Sequence, residues 1–275
     1  MSESTDIPVV IAGANGRMGR QAVQAVLQQV DMQLVAAFGK ARGVGEDVGE
    51  LSGVAPCGVV LEDDAESAIS KGAGGVLVDF SLGPAVKENV LTALRHDMAC
   101  IVGATAIPGA DEQEIAQAAV KKGVLFAPNF ALGAVLMMKF ATQAAKYFRW
   151  AEIIEYHHER KLDAPSGTAR RTADLMRQAR DDGFRTPVDS EESVKGVRGG
   201  SLGGLRIHSV RLPGKLAHQE VILAAPGEVL TIKHDASNRE SYMPGMLLAI
   251  REVKKLTGLV VGLENILEEK SCVSW

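Results

Sequence analysis

Short apolar runs alternate with helix-period segments through the first half of the chain. Ile7 to Ala12 is continuously apolar, the mark of a strand buried on both faces, and Arg17 to Gln29 repeats its apolar residues at helical spacing. Further strands are expected at Met32 to Phe38, Val76 to Asp79, Ala99 to Val102 and Val124 to Ala127. Helices are expected at Pro84 to Arg95 and Asp111 to Lys121. Strands rich in Val and Ile, separated by helices, predict a parallel sheet with both faces covered. Right-handed crossovers then wind it into an α/β, Rossmann-type doubly wound fold.

From Gly133 the pattern changes. A long helix, Ala134 to Phe148, leads into a strand, Glu152 to Tyr156, and a second helix is expected from Ala169 to Arg180. Arg185 to Gly204 is polar and rich in glycine and charge, and reads as a mobile loop. Leu205 to Leu212, Ala217 to Ala225 and Val229 to His234 read as strands, joined by turns at Pro213-Gly214 and Pro226-Gly227. This half predicts an α+β domain with a mixed, largely antiparallel sheet. Tyr242 to Lys255 returns to helical spacing. Residues 1–130 and 240–275 are therefore expected to form one domain, and 131–239 the other.

Composition narrows the function classes. Of the 275 residues 46% are hydrophobic and 23% charged, which is ordinary for a soluble globular protein. A formal net charge of −4 offers no global attraction to nucleic acid or to an anionic membrane, so anion recognition must come from local positive charge. Cys57, Cys100 and Cys272 are far apart, with no CxxC, and read as idle thiols in a reducing compartment. The N-terminus is polar and acidic, unlike a signal peptide, and no apolar run reaches the ~18 residues of a membrane span. Cytoplasm is the expected compartment.

Gly13-Ala14-Asn15-Gly16-Arg17-Met18-Gly19 directly follows the first strand and opens the first helix. Glycines there allow a tight turn and close approach of backbone to a pyrophosphate, which helix N-terminal amides then stabilise. The spacing is GxxGxxG, and a turn kept for packing is the competing reading; position after the first strand favours a dinucleotide site. A carboxylate at the tip of the second strand would bind a ribose 2′-hydroxyl and repel a 2′-phosphate. Here Gly39 stands there, followed by Lys40 and Arg42, with Arg17 in the neighbouring turn. NADPH is the expected preference, with NADH also usable. Solvated loop charges are the bland alternative for Lys40 and Arg42.

The most chemically loaded segment is Glu155-Tyr-His157-His158-Glu-Arg-Lys161-Leu-Asp163-Ala-Pro-Ser166-Gly167-Thr168. Ser166, Gly167 and Thr168 fall at a helix N-terminus, where amides and hydroxyls bind a carboxylate, and Lys161 adds a positive charge. The two histidines and the lysine supply proton donors. Metal ligation by the histidines competes, but strand neighbours point to opposite faces and no third ligand has suitable spacing. Ser166 or Thr168 also reads as an N-cap, a role compatible with ligand binding.

Together these segments resemble the 4-hydroxy-tetrahydrodipicolinate reductase (dihydrodipicolinate reductase) family. The matching pieces are Gly13 to Gly19, Gly103-Ala104-Thr105, Ala127-Pro128-Asn129-Phe130, Glu155 to Thr168, and His234-Asp-Ala-Ser-Asn-Arg239. The HHxxKxDAPSGT stretch is highly specific; the others would be weak alone. The resemblance implies a Rossmann domain built from both chain ends and a middle segment that binds substrate and assembles homotetramers. It implies hydride transfer from NAD(P)H to a cyclic imine-type dicarboxylate in lysine and diaminopimelate biosynthesis. By the match, His157 and Lys161 would transfer protons, while His158, Lys161, Ser166, Gly167 and Thr168 would bind substrate carboxylates. Gly103 to Thr105 and Ala127 to Phe130 would line the nicotinamide, with Arg239 nearby. Two departures stand out: Gly39 replaces a frequent acidic residue, and Ala104 removes a hydroxyl from the family's Gly-Thr-Thr. The competing functions are another two-domain amino-acid or aldehyde dehydrogenase, and a non-catalytic NADP(H)-binding redox sensor. No cysteine sits in an activated motif as an aldehyde dehydrogenase requires, and a sensor would not need the proton donors.

Overall fold

The computed structural model describes residues 6–40, 42–103, 107–186 and 191–267. Among them the chain begins β1 (Ile7–Ala12), α1 (Arg17–Leu27), β2 (Met32–Phe38), α2 (Val48–Leu51), β3 (Leu61–Glu62) and α3 (Ala65–Ser70). It continues with β4 (Val76–Asp79), α4 (Ala85–Arg95), β5 (Ala99–Val102), α5 (Gly109–Ala118), β6 (Gly123–Phe126) and α6 (Leu132–Ala145). Then come β7 (Trp150–His157), α7 (Gly167–Gln178), β8 (Gly200–Leu202), β9 (Leu205–Arg211), β10 (Ala217–Ala225) and β11 (Glu228–Ala236). The last elements are α8 (Met243–Glu252) and β12 (Gly258–Val261). The chain divides into two compact units, Met1–Phe130 with Tyr242–Trp275, and Ala131–Ser241.

The first unit is organised by a seven-stranded sheet in the order β12-β6-β5-β4-β1-β2-β3, with parallel pairing at every ladder. β1 lies between β2 and β4, so chain order reverses beside it, the point where open α/β sheets bind ligands at their carboxyl edge. Pairing runs past the strand tips. Gly13 N–H donates to Phe38 O (2.9 Å), Phe80 N–H to Ala12 O (3.1 Å), Gly103 N–H to Asp79 O (2.9 Å) and Ala127 N–H to Val102 O (2.9 Å). The first residue of each loop is thereby held in register with its neighbour. Val10, Leu77, Cys100 and Val124 are fully buried in the core that α3, α4 and α5 help to cover.

The second unit carries a five-stranded sheet in the order β11-β10-β7-β9-β8. Its pairs are antiparallel except β7 with β9, which are parallel. α6 packs on β10 and β11, and α7 on β7. Alternation along β7 is regular: Ala151, Ile153 and Glu155 are buried, while Trp150, Glu152, Ile154 and Tyr156 are half-buried on the opposite face. A carboxylate thus occupies a position that the period assigns to an apolar side chain.

The α/β class with a second, mixed sheet is the fold that the hydrophobic pattern predicts. Several local expectations are corrected. Gly200–Leu202, expected within a loop, pairs with β9 as an edge strand. The α7 helix opens at Gly167 rather than Ala169, because Ser166 Oγ accepts from Ala169 N–H (3.1 Å) as a true N-cap. Gly258–Val261 adds a strand beside β6. No helix among the described residues is long and apolar enough to cross a membrane.

Candidate active site

In the first unit, the described candidate cofactor residues follow β1, β2, β5 or β6 at the carboxyl edge of the sheet, in the loops or, for Arg17 and Met18, at the start of α1. Gly13 turns the chain with φ +70°, and a Cβ on it would stand 2.9 Å from the Phe80 carbonyl carbon and oxygen. Gly19 is closer still: its Cβ would lie 2.1 Å from Gly13 O. Gly16 is the N-cap of α1 and offers no side-chain acceptor, and no acidic residue stands in the first helical turn. The α1 amides therefore carry the partial positive charge of a helix N-terminus without an internal carboxylate to satisfy it. This turn fits a dinucleotide pyrophosphate.

Beside it, Asn15 Nδ2 donates to Lys40 O (3.0 Å) and Arg42 O (2.9 Å), pinning the loop after β2. Lys40, Arg42 and Arg17 are exposed. Gly39 is buried under Asn15, and a Cβ there would lie 2.5 Å from Asn15 Oδ1. Farther along the edge, Phe80 and Phe130 meet edge-to-face with centroids 5.9 Å apart, and Gly103 fits against Phe80 where a Cβ would stand 2.5 Å from its ring. Asp79 anchors this loop from below. It has no exposed surface and accepts from Ser81 N–H (2.7 Å) and Asn89 Nδ2 (2.9 Å), while burial pushes its carboxyl above the usual range. Ala104 and Thr105 lie outside the described residues. So does Cys272, while Cys100 is wholly buried and Cys57 half-buried.

In the second unit, β7 ends at His157, and the chain returns through the 163–166 turn to α7. Glu155 ties these parts together. Its carboxylate contacts His157 Nδ1, accepts from Arg211 Nη1 (2.9 Å) and Nη2 (2.8 Å), and accepts from Ser166 N–H (3.2 Å). Burial would raise its pKa, but hydrogen bonds from His157, Arg211 and Ser209 outweigh that and hold it at about 2. Strand register explains the meeting, since β9 places Ser209 beside Glu155 and Arg211 beside His157. Arg211 Nη2 also reaches Asp163 O (2.7 Å), fixing the turn.

His158 follows the strand, and its Nδ1 accepts from Arg160 N–H at 3.2 Å. Lys161 Nζ pairs with Asp163 Oδ1 at 2.8 Å, which holds the Asp163 carboxyl below its usual range. The positive charge expected beside the cradle is thus matched by a neighbouring carboxylate. Ser166 is buried, with its N–H taken by Glu155 and its hydroxyl oxygen capping α7. Gly167 is exposed and Thr168 half-buried at the helix opening. Arg239 begins a short 3-10 turn, Arg239–Tyr242, where the chain leaves this unit.

Known proteins share both halves of this arrangement. The family model described as "Dihydrodipicolinate reductase, N-terminus" matches residues 7–130, and its C-terminal counterpart matches 133–267. A 4-hydroxy-tetrahydrodipicolinate reductase of Moorella thermoacetica is 47% identical over 264 residues, covering 95% of this chain and 98% of that protein. The chain belongs to the dihydrodipicolinate reductase family. A relative of the same name from Bacillus cytotoxicus is 44% identical, over 96% of this chain and 99% of its own. A dipicolinate-bound dihydrodipicolinate reductase from Paenisporosarcina sp. TG-14 superposes with a TM-score of 0.84 at 39% identity, covering 95% of this chain and 100% of that one. An amine dehydrogenase from Mycobacterium smegmatis shares the fold, with a TM-score of 0.69 at 15% identity over 99% of this chain and 100% of its own.

Glu155 and Arg211 are candidate site residues that the sequence motifs do not single out. Glu155 sits inside the HHxxK segment, and its signal was the period-2 position it shares with Ala151 and Ile153. Arg211 lies 56 residues from Glu155 and had no local signal. Because the folded Glu155 carboxyl titrates near 2 and its ordinary value is 4.5, the unfolded chain binds the proton more readily. Its stabilisation is therefore complete above about 4.5 and is lost as pH falls toward 2. Acid unfolding followed by circular dichroism should show a steeper loss of stability across that window in the native protein than in Glu155→Gln.

Proposed function

We propose that the chain reduces 4-hydroxy-tetrahydrodipicolinate to tetrahydrodipicolinate in lysine and diaminopimelate biosynthesis, with NADPH as the preferred hydride donor and NADH also accepted. The reaction consumes one NADPH and one proton and releases NADP⁺ and water. The observation that carries the reading is the end of β7. There His157 stands on a buried carboxylate, directly before the loop that leads to the N-terminus of α7.

A bound nicotinamide supplies the hydride; the chain's own groups bind, orient and protonate. Hydride addition to a conjugated imine leaves an electron pair on the substrate, and His157 is the group we assign to protonate it. The Ser166 hydroxyl, Gly167 N–H and Thr168 receive one substrate carboxylate at the helix N-terminus, where negative charge is favoured. His158 and Lys161 hold a carboxylate as well. Lys161 exchanges its contact with Asp163 for one with the substrate and assists the proton transfer. The Gly13–Met18 turn takes the pyrophosphate, and Lys40 with Arg42 takes the 2′-phosphate on the loop pinned by Asn15. Gly103 and Ala127 to Phe130 are the groups we assign to the nicotinamide. We also assign a homotetramer, supported by the face of the second sheet opposite α6 and α7, where Trp150, Ile154 and Ile222 are only half-buried and Val229 is 67% exposed.

An assay coupled to dihydrodipicolinate synthase should give a higher kcat/KM with NADPH than with NADH. Lys40→Ala combined with Arg42→Ala should cut that ratio roughly tenfold, the worth of one charge-assisted hydrogen bond; a large NADH preference in the native protein would reverse the assignment. Lys161→Ala should lose about 10²-fold in kcat, whereas His158→Ala should raise the substrate KM roughly tenfold with little change in kcat. Light scattering should give four times the chain mass, and Ile222→Glu should reduce it.

A further inference from the structure

The two adjacent histidines stand in opposite hydrogen-bonding situations. At His158, Nδ1 faces the Arg160 N–H at 3.2 Å. A backbone amide always donates, so Nδ1 must accept, and the neutral ring carries its proton on Nε2. At His157, Nδ1 faces Glu155 Oε2 instead. An ionised carboxylate only accepts. The Nδ1 of His157 must then donate, and its Nε2 keeps the free lone pair.

The surroundings of Glu155 enforce that state. Its side chain has no exposed surface, so an ionised form needs a matched charge and hydrogen bonds on its lone pairs. Arg211 supplies both, with one N–H to each carboxylate oxygen and two more N–H groups on Val210 O and Asp163 O. Oε1 is further occupied by Ser166 N–H, and the side of Oε2 left by Arg211 faces the imidazole.

We propose that Glu155 is a positioning residue for proton transfer: it fixes His157 in its Nδ1–H form, making Nε2 the atom that takes a proton from solvent and hands it to the substrate. In the transfer the Nε2–H bond breaks with its electron pair staying on nitrogen. The substrate's carbanionic pair forms the new C–H bond, and the ring returns to neutral. Glu155 also stabilises the cationic ring that exists between the two halves of this cycle. His158 cannot cycle in this way without giving up the Arg160 bond, and so acts as a fixed Nε2–H donor. The proposal rests on the reading of His157 as proton donor.

Glu155→Gln separates this role from simple packing. The amide oxygen is drawn to the Oε1 position, where Arg211 Nη2 and Ser166 N–H both donate. That leaves the amide NH₂ facing Arg211 Nη1, which keeps its bond to Val210 O, and His157 Nδ1, which must then accept, so the ring proton moves to Nε2. Long-range ¹H–¹⁵N spectra of full-length protein labelled with ¹⁵N-histidine read this directly, with His157 identified by its loss in His157→Gln. At a pH where the ring is neutral, the expected native result is Nδ1–H, switching to Nε2–H in Glu155→Gln. The same variant should lose about 10²-fold or more in kcat, with substrate KM within about threefold of native. Glu155→Asp, which keeps the charge, should restore part of the loss. A native His157 protonated on Nε2 would overturn the proposal without recourse to any Glu155 variant. So would a Glu155→Gln enzyme with native kcat, or one whose kcat and KM worsen together while the tautomer is unchanged. Native kcat in His157→Gln would instead defeat the proton-donor reading, whatever the tautomer.

Discussion

A carboxylate without exposed surface persists in a fold only where its charge is met from several sides, because the cost of leaving water is otherwise prohibitive. Glu155 is met by Arg211 from the neighbouring strand, His157 two residues along its own strand, and the Ser166 amide from the following turn. The end of β7, the following turn and a strand 56 residues away are therefore bound to one charge. Removing one member of such a buried pair typically costs about 3–5 kcal/mol, because the survivor remains buried without compensation. The end of β7, the 163–166 turn and the opening of α7 consequently behave as one piece.

The first unit works on a different principle. Its functional loops are positioned by backbone rather than by charge: the parallel ladder continues one residue beyond each strand, so the loops after β1, β4, β5 and β6 share a hydrogen-bonded frame. Side chains matter there chiefly by being small, as at Gly13 and Gly19, or by filling the frame from beneath, as Asp79 does through Ser81 and Asn89. A pyrophosphate is recognised by amides that any sequence supplies, provided nothing stands between. The carboxylate-binding half needs particular side chains, and those must be held.

This difference explains what could be read from the residues alone. Continuous apolar runs such as residues 76–78 and the helical spacing of Arg17–Leu27 declare themselves, since burial on one or both faces leaves a periodic trace. The α2, β3 and α3 elements were silent because two to six residues complete no convincing period; α3 carried only the trace of its Asp64 cap. Gly200–Leu202 is an edge strand without a buried residue, and its glycine-rich setting resembles a loop. The HHxxK segment announced its chemistry, but not which partners its side chains take. That Lys161 pairs with Asp163, and that Glu155 turns inward to meet Arg211, follows from strand register and turn geometry, which appear only once the sheet is assembled.

The close fit of Asn15 over Gly39 has an evolutionary side. The amide that ties down Lys40 and Arg42 occupies the volume that any side chain at position 39 would need. The two positions are thus one coupled character. A side chain at position 39 requires the Asn15 amide to move, and moving it loosens the hold on the basic loop. A change at position 39 therefore brings a choice at position 15 with it, and the order in which the two are exchanged counts as much as their identity.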